Sequence, residues 1–187
     1  MPELLTMLLD SGLMQFGRFA GSDGWEPYRL NLQWLPSYPA ILRQIAEESE
    51  PLVGQVDHLL STASALPVGL ALSLCHNLPL VYSRGTNDAP VFDLVGAYDI
   101  GHPALLVAGR SRDLVGIMPL VERARRVGLE IQRAVVVMDE SDPQPDGISV
   151  SALLSLPALI DALISSGKLP EGHSKVLKDW INSRHSG

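Results

Sequence analysis

A chain of 187 residues, 46% of them apolar, is long enough to bury a full hydrophobic core and is read as a single domain. Its formal charge of −7 excludes the basic face that nucleic-acid phosphates require. No apolar run reaches the roughly 18 residues that span a bilayer, so neither nucleic acid nor membrane is an expected partner.

Pro2 to Leu13 carries Leu4, Leu5, Leu8 and Leu9 at helical spacing, and Ser11-Gly12 ends that helix. Phe16 to Leu35, rich in aromatics and glycine, reads as short strands and turns. A helix follows from Pro39 to Gly54, with Ile41, Leu42 and Ile45 on one face and Glu47, Glu48 and Glu50 in water. Next come a strand at His58 to Leu60, a helix from Leu66 to His76 and a strand from Leu78 to Tyr82. Beyond a polar loop (Ser83 to Pro90), a buried strand at Ala104 to Val107 leads into a helix from Asp113 to Val127. Arg123, Arg125 and Arg126 decorate the polar face near its C-terminus. The β-branched run Ala134 to Met138 has the continuity of a central parallel strand. The loop Asp139 to Gly147 is an acidic surface excursion, and Leu153 to Ile164 and Lys175 to Ile181 close the chain as helices. Strands separated by helices in this order imply a parallel sheet covered on both faces.

A single cysteine excludes an intramolecular disulfide and, with no signal-like leader, points to a cytoplasmic protein. Cys75 lies in the apolar run Leu70 to Cys75 and is expected to be a buried structural thiol. The histidines are scattered without zinc-ligand spacing, and Ser61, Ser64 and Ser73 fit no nucleophile elbow. No metal site is therefore expected. Asp139, Glu140, Asp142 and Asp146 have the composition of a cation loop, but a solvated acidic loop is the expected state. What stands out is Ala108-Gly109-Arg110-Ser111-Arg112 at a strand-to-helix crevice, where α/β sheets hold anions. The guanidinium forks of Arg110 and Arg112 suit a carboxylate or phosphate. The competing reading is surface charge, or salt bridges to Asp113 and Asp99.

The opening Leu8-Leu9-Asp10-Ser11-Gly12, Phe16-Gly17-Arg18-Phe19 and Pro27-Tyr28, with Asn31, Ser37 and Pro39, resembles orotate phosphoribosyltransferases. The likeness continues through Leu66 to Ala71, Leu78 to Arg84, Arg125 to Glu130, Ser151 to Leu156 and Gly167-Lys168-Leu169, and so spans nearly the whole chain. It implies a type I phosphoribosyltransferase fold: a Rossmann-like parallel sheet with a small N-terminal hood, here residues 1–35, a core at 36–150 and closing helices at 151–187. It also implies a twofold homodimer, with Trp25, Tyr28, Leu32, Trp34 and Tyr82 at or near the interface.

The resemblance thins where chemistry would be done. The family's signature for phosphoribosyl pyrophosphate is a strand, two adjacent acids, two small apolar residues and Thr-Thr-Gly. Leu105-Leu106-Val107 keeps the strand, but Ala108 and Gly109 stand where the carboxylates belong, and Arg112-Asp113-Leu114 replaces the phosphate turn. Asp113 reads as the cap of the following helix. Of the family's cationic flexible loop only Arg84 remains, since Gly85 to Pro90 holds no Lys or His. Ser64 and Ala65 stand near the glycines of the pyrophosphate loop, and an acid, Asp23, replaces the hood lysine. Losing even one charge-stabilising donor costs about a hundredfold in rate. The expectation is a catalytically silent binding, regulatory or scaffold homodimer with no cofactor and no catalytic residues. Its crevice, marked by Ser64, Ala65, Arg84, Arg110, Ser111 and Arg112, is open to a small anion. The alternative is an active transferase, using magnesium, built on atypical residues.

Overall fold

The computed structural model describes residues 3–21, 24–85, 94–167, 169 and 171–184. Helix α1 (Glu3–Asp10) buries Leu4, Leu5 and Leu8, and Gly12, at φ +73°, turns the chain into the hairpin of β1 (Met14–Gly21) and β2 (Gly24–Leu30). A 3-10 turn at Leu32–Ser37 closes the stretch of short strands and turns read from the sequence, and leads into α2 (Pro39–Val53). Pro39 begins that helix, where a missing N–H costs nothing.

From there strand and helix alternate: β3 (His58–Ser61), α3 (Leu66–His76), β4 (Leu80–Ser83), a short edge strand β5 (Leu94–Val95) and β6 (His102–Arg110). Then follow α4 (Asp113–Gly116), α5 (Met118–Arg126), β7 (Leu129–Asp139), β8 (Ser149–Ser155), α6 (Leu156–Ser165) and α7 (Glu171–Arg184). Six strands form one sheet in the order β5-β4-β3-β6-β7-β8, parallel except for β5. As the continuous apolar runs require, β6 and β7 are adjacent and parallel, with Val107 opposite Val135. Successive β6 side chains alternate between two cores. Leu105 and Val107 pack with α1, α2, α3 and α6; Leu106 and Ala108 pack with α4 and α5.

Three expectations need correction. The helix expected over Asp113 to Val127 is broken at Ile117, because Pro119 suits only the first turn of a helix and starts a new one. Leu153 to Ser155 end a strand, and helix α6 starts at Leu156 with Pro157 in its first turn. β8 pairs with β7 through Val150, Ala152 and Leu154, an apolar alternation that the longer run of leucines conceals. Cys75 is exposed, on the outer side of α3. That helix is apolar around its whole circumference, so one of its faces must look outward: Leu70 and Leu74 do so as well.

Candidate active-site crevice

The sheet order reverses between β3 and β6, one leading outward to β4 and the other to β7, which makes their C-terminal ends the switch point where α/β folds bind ligands. A cavity of about 430 Å³ opens there. Ser64, following β3, and Gly109 and Arg110, ending β6, form its floor. The hairpin and the 3-10 turn contribute Glu26, Arg29, Asn31 and Trp34.

Of the arginines that the sequence singled out, Arg110 lines this cavity, and Arg110 and Arg112 converge on carboxylates of the chain itself. Arg110 donates from Nη1 to Glu26 Oε2 at 2.8 Å and makes a fork on Asp113, through Nη2 at 3.1 Å and Nε at 3.3 Å. Arg112 faces Glu26 Oε1 at 2.8 Å and Glu140 Oε2 at 3.8 Å. Its guanidinium carbon lies 5.5 Å from the centre of the Trp180 ring, so α7 closes the cluster from behind. The pairing to Asp113 was anticipated; the partner of Arg112 is Glu26 and Glu140 rather than Asp99. Asp113 is the first helical residue of α4 rather than its cap, and its carboxylate turns back onto Arg110.

Glu140 departs furthest from expectation. It belongs to the acidic segment read as solvated, yet its side chain is fully buried. It accepts the Tyr28 hydroxyl proton in a hydrogen bond, and its backbone N–H donates to Ser111 Oγ at 2.8 Å. Tyr28 is completely buried inside its own subunit and meets Trp180 edge-to-face at 6.2 Å, and Leu32 is nearly buried too. Neither is available for the interface expected of them; Trp25 and Trp34 remain exposed. Burial and the neighbouring Glu140 charge hold the Tyr28 hydroxyl far above its ordinary pKa, so it is a permanent donor. Burial alone would lower the Arg110 pKa, but the carboxylates of Asp113, Glu140 and Glu26 outweigh it, and the guanidinium stays charged.

The remaining sequence candidates divide. Ser64 lines the cavity, with its hydroxyl 3.2 Å from that of Thr62. Ala65 is buried at the start of α3 and offers no polar side chain. Ser111 is buried and tied to Glu140 and to Asp142, 3.3 Å away, which anchors the loop after β7. Arg84 is exposed beyond β4 and does not line the cavity. The rest of its loop (residues 86–90) and Asp23 lie outside the described residues. At the first of the two positions that the resemblance assigns to an acid pair, Ala108 points into the α4/α5 core, fully buried. At Gly109 a side chain would meet Leu32 Cδ1 at 3.2 Å. Among the described residues no group of His, Cys, Asp and Glu side chains is arranged to hold a metal ion, and no helix is long and apolar enough to cross a membrane. Glu26 was not singled out from the sequence, while Tyr28 was read as an interface residue and Glu140 as part of a solvated acidic loop; the structure buries all three.

No profile of a known protein family matches the chain. Curated relatives do: the orotate phosphoribosyltransferase of Chlamydia pneumoniae is 25% identical over 183 residues, covering 91% of this chain and 87% of the relative. Among solved structures, Leishmania donovani UMP synthase superposes with a TM-score of 0.82 at 25% identity, over 97% of this chain but 42% of that one. Francisella tularensis orotate phosphoribosyltransferase superposes with a TM-score of 0.71 at 18% identity, over 97% of this chain and 98% of that one. Over nearly its whole length the chain is similar to orotate phosphoribosyltransferases. Its sheet, with the crevice at the switch point, is the type I phosphoribosyltransferase fold.

Proposed function

We propose that this chain is a noncatalytic member of the orotate phosphoribosyltransferase family, a binding or regulatory homodimer that holds a small polar ligand in its crevice. The observation that carries the reading is the electrostatics of the cavity. At the cavity wall the Glu26 and Asp113 carboxylates already engage Arg110, the guanidinium that a polyanionic sugar phosphate would need there. Phosphoribosyl pyrophosphate would have to displace those carboxylates or sit against their charge. The positions that would hold its ribose hydroxyls carry a buried methyl group and a glycine. Magnesium with this substrate does not fit either: it needs free oxygen ligands, and the carboxylates at the cavity are engaged by guanidinium groups. Asn31 supports occupancy by a smaller ligand, because its buried Nδ2 has no hydrogen-bond partner among the described residues.

A second copy of the chain is the partner we infer. Leu70 and Leu74 lie one helical turn apart on the outer face of α3, and Trp34 is exposed on the 3-10 turn packed against that helix, an apolar patch of the kind that self-association covers. Light scattering at micromolar concentration is expected to give twice the 20.2 kDa chain mass.

The other reading is a working orotate phosphoribosyltransferase with atypical residues. The near full-length likeness to curated enzymes of that name supports it, as does the Asp113 carboxylate at the cavity wall. Calorimetric titration with phosphoribosyl pyrophosphate and magnesium, beside an assay for orotidine monophosphate, separates the two. We expect neither binding nor product; micromolar binding, or product above background, would establish the second reading.

A further inference from the structure

Glu26 sits in the crevice as a bound anion would. One carboxylate oxygen faces Arg110 and the other faces Arg112, each at 2.8 Å. It comes from the hairpin, 84 positions away in sequence from Arg110, and its side chain is nine-tenths buried while still lining the cavity. The arginines do not depend on it for their placement. Asp113 grips Arg110 through two nitrogens, and Glu140 and Trp180 flank Arg112. Without Glu26 the remaining four groups would carry no net charge, with both guanidinium groups still held and that of Arg110 at the cavity wall. The hairpin makes room for this one side chain at Gly21, where a Cβ would fall within 2.6 Å of Glu26 Cγ and Cδ.

We propose that Arg110 and Arg112 form a latent oxyanion site and that Glu26 is its intramolecular occupant, excluding phosphate or carboxylate ligands until it is displaced. The proposal rests on the preceding reading only in taking the crevice as the ligand site. Its failure shows in the variants below, whereas failure of that reading shows in wild-type binding of phosphoribosyl pyrophosphate.

The test uses the full chain and inorganic phosphate, with acetate as a parallel arm, titrated calorimetrically at constant ionic strength. Glu26→Gln, which keeps the shape and removes the charge, is expected to bind phosphate on the order of tenfold or more tightly than wild type. Adding Arg110→Gln in that background is expected to abolish the gain. Gly21→Ala, which keeps every charge but pushes the Glu26 carboxylate aside, is expected to bind with intermediate affinity. Stronger acetate than phosphate binding would mark the site as a carboxylate subsite, and the reverse as a phosphate subsite; both support the proposal. A folded Glu26→Gln protein with no gain for either anion overturns it, as does a gain that survives Arg110→Gln. Should Glu26→Gln fail to fold in chloride, phosphate is expected to restore folding at matched ionic strength; a chain that stays unfolded in phosphate overturns the proposal too.

Discussion

Arg112→Met tests whether the cluster is a coupled, desolvated unit. Arg112 is 8% exposed and faces Glu26, 10% exposed, and Glu140, fully buried. At an effective dielectric near 20, a pair about 4 Å apart attracts by roughly 4 kcal/mol, most of it offset by desolvation of the two ions. The substitution removes the attraction and leaves the desolvation, stranding a buried Glu140 carboxylate that has lost its Arg112 partner. The expected loss is therefore about 3–5 kcal/mol, the usual cost of removing one partner of a buried pair. That is a large share of the roughly 5–15 kcal/mol that stabilises an ordinary domain. In a chain of this length it lowers the melting temperature by roughly 10 °C. Urea titration followed by circular dichroism measures it, with an unchanged m-value as the check that the native state is intact. The triple variant Tyr28→Phe, Arg112→Met, Glu140→Leu removes charge and hydroxyl together, and should return to within about 1 kcal/mol of wild type. A single substitution costing under about 1 kcal/mol, or a triple variant as damaged as the single, would refute this account of the cluster.

Restoring family acids at the end of β6 is expected to fail. Ala108→Glu places a carboxylate in the α4/α5 core and should cost several kcal/mol by thermal unfolding, without conferring transferase activity. Gly109→Asp should be milder, limited by the Leu32 contact, and equally inactive in the orotidine monophosphate assay. Leu74→Glu, on a side chain 83% exposed, should leave stability within about 0.5 kcal/mol while shifting the light-scattering mass from dimer to monomer. At the opposite end of the sheet, burial and then the neighbouring His102 lower the His58 pKa, against the opposing pull of Asp57 and Asp99. The unfolded chain then binds a proton at His58 more readily than the native one, so stability should fall as pH drops through about 6.5 and level off below the native pKa. His58→Asn should flatten that limb in urea titrations; an unchanged slope would assign it to other groups.

The fold was readable because it rests on short-range apolar patterns. Val135 to Val137 and Leu105 to Val107 are uninterrupted runs that only a doubly covered strand accommodates, and Leu66 to His76 reads as a helix and is one. Errors fell where local signals conflict. The serine-leucine alternation before Pro157 suits a helix start and a strand end equally, and the helix over Asp113 to Val127 is periodic enough to hide its break at Ile117.

The site was half readable, and the division has a physical cause. Arg110 and Arg112 lie in the motif itself, so their place at the switch point follows from the strand before them. Their partners do not. Glu26 lies 84 positions before Arg110 and Glu140 lies 29 positions beyond Ser111, in other elements, and nothing in the sequence around either one distinguishes a buried carboxylate from a solvated one. Burial has to be inferred from need. Two guanidinium groups shielded at the mouth of a parallel sheet require anions nearby, and a phosphate ligand is one way to supply them. Here the chain supplies its own: Asp113 from the next helix, Glu140 from the loop after β7 and Glu26 from the hairpin. Of these, Glu26 faces both arginines and lines the cavity, whereas Glu140 is fully buried, which is why removal of Glu26 bears on ligand binding while that of Glu140 bears on stability.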